Sequence, residues 1–281
     1  MGRNQTEINN KRKKRGCGCF LLFAAAAVML VRFALYDGLA VREYTVKSGL
    51  VTGEHTYILI SDLHSTYYGE HQEELAALIM GYMPEAVFLA GDIADDKEDR
   101  RFGGTAELLS CIADLYPCYY IAGNHECWLD YTEDIHGMVR EYGVTVISGE
   151  SADLGDGIAL HGIDDPLFYG GNEEFLSELK TAEVSEEKFD ILLSHRPEYA
   201  GEYAEHGFDL VLAGHAHGGQ ARIPLLLNGL YAPNQGWFPE YAGGKYNLGG
   251  STMIVSRGLM KDDLPRIFNR PELVVIQLTG K

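Results

Sequence analysis

Beyond residue 40 the chain is a succession of short apolar runs, each closing on Gly, Asp, Asn or His, with stretches of helical spacing between them. Residues 56–61 (TYILIS), 86–90 (AVFLA), 119–122 (YYIA), 144–147, 158–161, 191–194 and 210–213 have the length and apolar continuity of buried strands. Residues 72–80 and 106–115 place apolar side chains three and four apart, the pattern of amphipathic helices. Strand and helix alternate, so an α/β architecture is predicted. Residues 252–255 and 273–278 read as strands with no helix between them, which predicts that part of the sheet system is antiparallel.

The first 36 residues follow a different pattern. KRKKR at 11–15 precedes an apolar stretch over residues 16–36, interrupted only by Arg32, which can snorkel to an interface. About 20 helical residues cross a bilayer, so the organisation expected is a basic cytoplasmic tail at 1–15, a transmembrane anchor at 16–36 and one globular domain at 37–281. The basic cluster predicts that the N-terminus stays cytoplasmic and the globular part lies on the extracytoplasmic side. A cleaved signal peptide ending at Gly38-Leu39-Ala40 is the rival reading.

Charge narrows the partners. The 281 residues carry a formal charge of -18, and because residues 1–36 hold seven bases and one acid, the remainder carries -24. Such a body is unsuited to binding a nucleic-acid backbone. The five cysteines form no CxxC, so neither a zinc ribbon nor a thioredoxin-like site is indicated; Cys111, Cys118 and Cys127 are either free thiols or include one bridge.

The candidate chemistry lies where the apolar runs stop, which in α/β sheets is where ligands bind. Asp62-Leu-His64 follows the first run, Gly91-Asp92-Ile-Ala-Asp95 the second and Gly123-Asn124-His125-Glu126 the third; His195 and Gly214-His215-Ala-His217 follow two later ones. A single histidine at a strand end is usually packing. Five of the ten histidines at such points, with carboxylates and one amide, suit divalent ions. Seven side chains, Asp62, His64, Asp92, Asn124, His195, His215 and His217, exceed the need of one ion, and with Asp92 shared they suffice for two. Two ions roughly 3.5–4 Å apart acidify water and clamp the attacking and leaving oxygens of a phosphoryl group. On an extended backbone His215 and His217 would point to the same face.

In this order DLH, GDIAD, GNHE, the lone His195 and GHAH resemble the calcineurin-like metallophosphoesterases, from about residue 50 onward. The resemblance implies a four-layer α-β-β-α sandwich, here preceded by one N-terminal transmembrane helix, and two divalent ions drawn from Mn, Fe, Zn or Mg. It assigns Asp62, His64 and His217 to one ion, Asn124, His195 and His215 to the other, and Asp92 to both. It makes His125 the group that stabilises the transition state or protonates the leaving oxygen, and Asp95 the carboxylate that orients it. Glu126 stands where the family often has Asp and is read as a group behind the ligands or at the surface. The remaining histidines, His55, His71, His136, His161 and His206, match no motif.

GHAHGGQARIP, VSRGL and RPEL are similar to a bacterial branch of small membrane-anchored or exported phosphoesterases, although Met260-Lys261-Asp262 departs from its usual continuation. A monomer hydrolysing a phosphodiester, phosphomonoester or pyrophosphate, of lipid- or wall-linked substrates, is therefore expected; a nucleotide phosphodiesterase and a non-catalytic scaffold are the alternatives. Trp237, Phe238 and Tyr241 form a cleft wall or pack their own loop. Arg222, Lys245 and Arg257 are candidates for pairing with substrate phosphate.

Overall fold

The computed structural model describes residues 22–95, 101–128, 132–261 and 264–280. A helix, α1, covers residues 22–34, and the chain then enters β1 (Ala40–Ser48) and β2 (Glu54–Ile60). There follow α2 (Glu73–Tyr82), β3 (Ala86–Ala90), α3 (Gly103–Ile112), β4 (Cys118–Ile121), α4 (Asn124–Trp128), α5 (Thr132–Glu141) and β5 (Thr145–Val146). The second half runs β6 (Ser151–Gly155), β7 (Ile158–Ile163), α6 (Pro166–Tyr169), α7 (Asn172–Leu179), β8 (Phe189–Ser194), α8 (Ala200–His206) and β9 (Leu210–Ala213). It closes with the hairpin β10 (Tyr231–Ala232) and β11 (Gly236–Trp237), then β12 (Gly244–Asn247), β13 (Thr252–Val255) and β14 (Glu272–Gly280).

Two six-stranded sheets result, in the orders β1-β14-β2-β3-β4-β5 and β12-β13-β9-β8-β7-β6. The central strands β3, β7, β8 and β9 are buried on both faces because each face meets a different layer. Tyr57, Leu59, Phe88 and Ile121 of the first sheet face Leu160, Ile191, Leu193 and Leu212 of the second. The intervening Ile58, Ile60, Val87 and Leu89 turn outward against Leu75 and Ile79 of α2, Leu108 and Ile112 of α3, and Val139 of α5. Leu192 and Val211 likewise meet Phe175 of α7 and Tyr203 of α8. The order of layers is helix, sheet, sheet, helix. Continuous apolar runs were legible in the sequence for this reason; the half-polar β1 was not, although it pairs in parallel with β14 along its whole length.

The expectation of antiparallel pairing holds for β14 on β2, while β13 runs parallel to β9, which its sequence position did not indicate. Cys111, Cys118 and Cys127 are free thiols. Only the part of the expected anchor after residue 21 is described: thirteen helical residues of α1, roughly 20 Å at about 1.5 Å each. No helix among the described residues is long and apolar enough to cross a membrane, and residues 1–21 lie outside those described.

Candidate metal centre

The C-terminal ends of β2, β3 and β4 in one sheet and of β8 and β9 in the other meet at one edge of the sandwich. Asp62 and His64 follow β2, Asp92 follows β3, Asn124 opens α4, His195 follows β8, and His215 and His217 follow β9. Two clusters form there. Ligand-type atoms of Asp62, His64, Asp92 and His217 all lie within 4.8 Å of one another, and those of Asp92, His195 and His215 do the same. Asp92 is common to both. Its Oδ2 lies 3.2 Å from His195 Nε2 and 3.8 Å from His64 Nε2, while Asp62 Oδ1 lies 3.2 Å from His217 Nε2.

The backbone is strained at this edge. Asp62, His64, Asp92, His215 and His217 all have positive φ, between 45° and 66°. For residues with a Cβ such conformations cost of order 1–3 kcal/mol and persist only where the surroundings over-determine them. Those surroundings are visible: Asp62 N–H donates to Gly91 O, His64 N–H to Asp92 O, and Leu259 N–H to Asp62 O. The His217 carbonyl accepts from Arg266 and Asn269. His215 and His217 thus reach the centre through left-handed turns, which corrects the extended-backbone reason given for their shared direction. The loops also approach closely: a Cβ on Gly91 would lie 2.5 Å from Gly123 N, at a φ of 77° that glycine accepts readily.

Ring tautomer and orientation follow from the partners. His195 Nδ1 lies 2.7 Å from the Ala90 carbonyl, an acceptor only, so Nδ1 carries the proton and Nε2 turns a lone pair to the centre. His215 Nε2 lies 3.0 Å from Asn234 Oδ1, an acceptor, and 3.1 Å from Arg196 Nη1, a donor, which together fix the orientation of the ring. Burial pushes His64 down to about 3, keeping it neutral.

Buried polar atoms normally find hydrogen-bond partners. His64 Nε2, Asp92 Oδ2, Asn124 Oδ1 and His195 Nε2 are buried and make no hydrogen bond. Three of the four belong to the two clusters and the fourth, Asn124, opens α4 at the same edge; a mixed imidazole, carboxylate and amide set is what divalent ions take. The residues present therefore fit two such ions.

His125 stands beside this set at the mouth. Its ring packs edge-on against His64 at 4.5 Å and tilted against Trp128 at 4.3 Å, and its Nε2 lies 4.0 Å from Asp92 Oδ2. Its side chain is 21% exposed, against 2% for His64, so His125 is the imidazole open to an incoming molecule. Asp95 is buried at the end of the same β3 loop, its N–H donating to Arg101 O. The five histidines outside the motifs lie apart: His55 pairs with Glu85, His71 with Glu107, His161 with Asp190, His206 with the Ala182 carbonyl, and His136 sits 3.6 Å from Asp164.

Supporting residues complete the site, and apart from Glu126 they were not singled out from sequence. Glu126, read there as either a backing or a surface group, is buried, and its carboxylate accepts the N–H groups of Asp92, Ala94 and Gly123, tying the β3 loop to the β4 loop. Burial and the nearby Asp92 charge push it up to about 8, against the pull of those N–H groups. Asp164 and Asp165 follow β7; Asp164 accepts Ala122 N–H, and Asp165 pairs with the buried Arg196, whose Nη1 reaches Asn234 Oδ1. The signal for Asp164-Asp165 was present, since they close the apolar run IALHGI as the other site residues close theirs. Asn234 carried no such signal, because the β10–β11 hairpin that brings it to His215 is a tertiary arrangement.

A model of the calcineurin-like phosphoesterases matches residues 55–219, which span every residue of the two clusters. The chain belongs to the calcineurin-like phosphoesterase family. It is a metallophosphoesterase, a hydrolase with a dinuclear divalent metal centre. Among its relatives is an uncharacterized metallophosphoesterase, YkuE, of Bacillus subtilis, 28% identical over 250 residues, 84% of each chain. Another, from Aquifex aeolicus, is 27% identical over 254 residues, 86% of this chain and 93% of that one. The phosphodiesterase YaeI of Escherichia coli is 25% identical over 227 residues, 79% of this chain and 81% of its own.

Proposed function

We propose that this metallophosphoesterase hydrolyses phosphodiester, phosphomonoester or pyrophosphate bonds of lipid- or wall-linked substrates at a membrane surface. The observation that carries the reading is the pair of clusters sharing Asp92, in which His64 Nε2, Asp92 Oδ2 and His195 Nε2 are buried without a hydrogen bond, with the more exposed His125 alongside. Asp62, His64 and His217 would hold one ion, Asn124, His195 and His215 the other, and Asp92 both. Bound there, the ions acidify water and neutralise phosphoryl oxygens. His125 protonates the departing oxygen or steadies the charge on it, and Asp95 orients His125. The exposed Tyr231, Trp237 and Phe238 lie on the segment that also carries Asn234, so they can line the approach, whereas Tyr241 packs against Tyr246. Lys245 donates to the Thr45 carbonyl and is thereby directed away from this role.

The membrane location rests on the basic tail at 1–15 and the apolar segment at 16–36, with the domain from residue 37 on the extracytoplasmic side. α1 supports it: Leu22, Phe23, Val28, Met29, Leu30, Val31 and Phe33 are each more than half exposed. Diesterase activity draws support from the relative named a phosphodiesterase. Metal analysis of the purified protein tests the centre: about two ions per chain are expected, and Asp92→Asn should lower both occupancy and activity. A panel of chromogenic monoesters and diesters with Mn, run against His125→Ala, separates hydrolase from scaffold, since equal rates in mutant and wild type would remove His125 from the reaction.

A further inference from the structure

A cavity of about 480 Å³ lies away from the metal ligands, lined by Arg42, Arg222, Arg257, Phe268 and the segment from Ile223 to Asn228. Three guanidinium groups around one cavity are unusual on a body of charge -24. One carboxylate answers them: Glu272, buried, with Arg257 Nε at 3.2 Å and Arg42 Nε at 3.8 Å. Arg222 instead donates to the carbonyls of Gly218 and Gly243 and to Asn228. Burial and the neighbouring Arg257 lower Arg222 only to about 10, so it stays charged at neutral pH. The cavity therefore has a surplus of positive charge arranged for an anion with several acceptor oxygens.

Its rim is apolar and turned outward. Leu225 and Leu226 are 106% and 84% exposed, and Ile223 is 49% exposed. Side chains of this size are not left fully in water in a row without a use. The rim is also continuous with α1. Phe268 lines the cavity, its ring meets Phe33 edge-on at 5.9 Å, and its N–H donates to the Ala34 carbonyl. Arg270 stacks on Tyr36 just beyond and donates to the carbonyls of Gly38 and Leu39. The exposed apolar face of α1 and the leucine rim thus adjoin through one residue, and the arginines sit just behind them.

We propose that this face is a membrane-docking surface: Leu225 and Leu226 enter the bilayer beside α1 while Arg42, Arg222 and Arg257 bind the phosphate of an anionic phospholipid headgroup. Charge complementarity selects that occupant, because elsewhere the acidic body repels an anionic surface. Docking would also orient the centre. The Gly218 carbonyl that holds Arg222 follows His217 in the chain, and Gly258, next to Arg257, packs against Asp62. The proposal rests on the membrane location proposed above.

The test is hydrogen exchange of the full chain in lipid nanodiscs, read at residues 223–228 and separately at α1. Phosphatidylglycerol discs should slow exchange at 223–228 several-fold relative to phosphatidylcholine discs. Arg42→Gln with Arg222→Gln, and Leu225→Asp with Leu226→Asp at positions too exposed to unfold the domain, should each abolish that difference. Equal exchange in the two lipids, or a difference that survives both variants, overturns the docking surface. So does protection that grows with protein concentration without lipid, which identifies a second copy as the occupant. Failure of α1 to become protected in either disc would instead overturn the anchor, so the two readings fail separately.

Discussion

Replacing Gly123 by alanine adds one methyl group at the tightest point of the centre. The new Cβ would lie 2.5 Å from Asp92 N and 2.9 Å from Asp92 Cγ, with Oδ1 nearer still. An ordinary contact begins near 3.4 Å, so Asp92 must retreat by about 1 Å or the β4 loop must open. Overpacking of this kind costs about 1–3 kcal/mol, and about 2–4 °C of melting temperature per kcal/mol applies to a domain of this size. The metal-free variant should therefore melt about 2–12 °C below wild type. The functional loss should be larger, because Asp92 serves both clusters: its 3.2 Å approach to His195 and its bond from His125 N–H would both be broken. Metal analysis should find fewer than two ions, and the melting-temperature gain on adding Mn should shrink. Gly137→Ala is the internal control, since no atom lies within 4 Å of its Cβ and it sits exposed inside α5. There the same methyl should raise stability by about 0.5–1 kcal/mol through helix propensity. A Gly123→Ala protein that keeps two ions and a wild-type melting point would refute the close-approach argument outright.

Asn234→Ala removes a hydrogen-bond partner of His215 Nε2 and should weaken metal binding about 10–100-fold, measurable by calorimetric titration with Mn; unchanged affinity would show that this contact does not orient the ring. Asp164 is raised to about 6 by burial, above the usual carboxylate value. The folded state thus holds this proton more tightly than the unfolded state, and the group's contribution is lost as pH climbs from about 4 to about 6. Asp164→Asn cannot titrate, so its melting point relative to wild type should rise across that window; parallel curves would contradict the shift. Chelation of the wild-type protein should lower its melting point and abolish hydrolysis together, with both restored by added metal, and a chelated protein of full stability would show that the ions do not hold the strand-end loops.

The candidate ligand set was legible in the sequence because each member follows an apolar run, and the run itself is the strand that aims it. Asp62, Asp92, Asn124, His195, His215 and His217 needed no distances to be suspected; apolar continuity marked the strands, and polar residues closing them marked one edge. The exceptions are physical. β1 is half polar because it is the edge strand of its sheet, with only Ala40 and Val46 buried, so no run announced it. Glu126, Arg196 and Asn234 act by holding other groups, and their partners are far off in sequence: Glu126 reaches back to Asp92 and Ala94, Asn234 to His215.

Local pattern, then, determined the strands, the α/β class and the identity of the seven side chains, because those depend on residues within a turn or a strand of one another. Tertiary structure alone decided that left-handed turns aim His215 and His217 and that Asn234 meets His215. It also decided that Arg42, Arg222 and Arg257, drawn from three separate segments, surround one cavity beside α1. Such long-range meetings are set by how sheets pack and loops cross, and no window along the chain contains them.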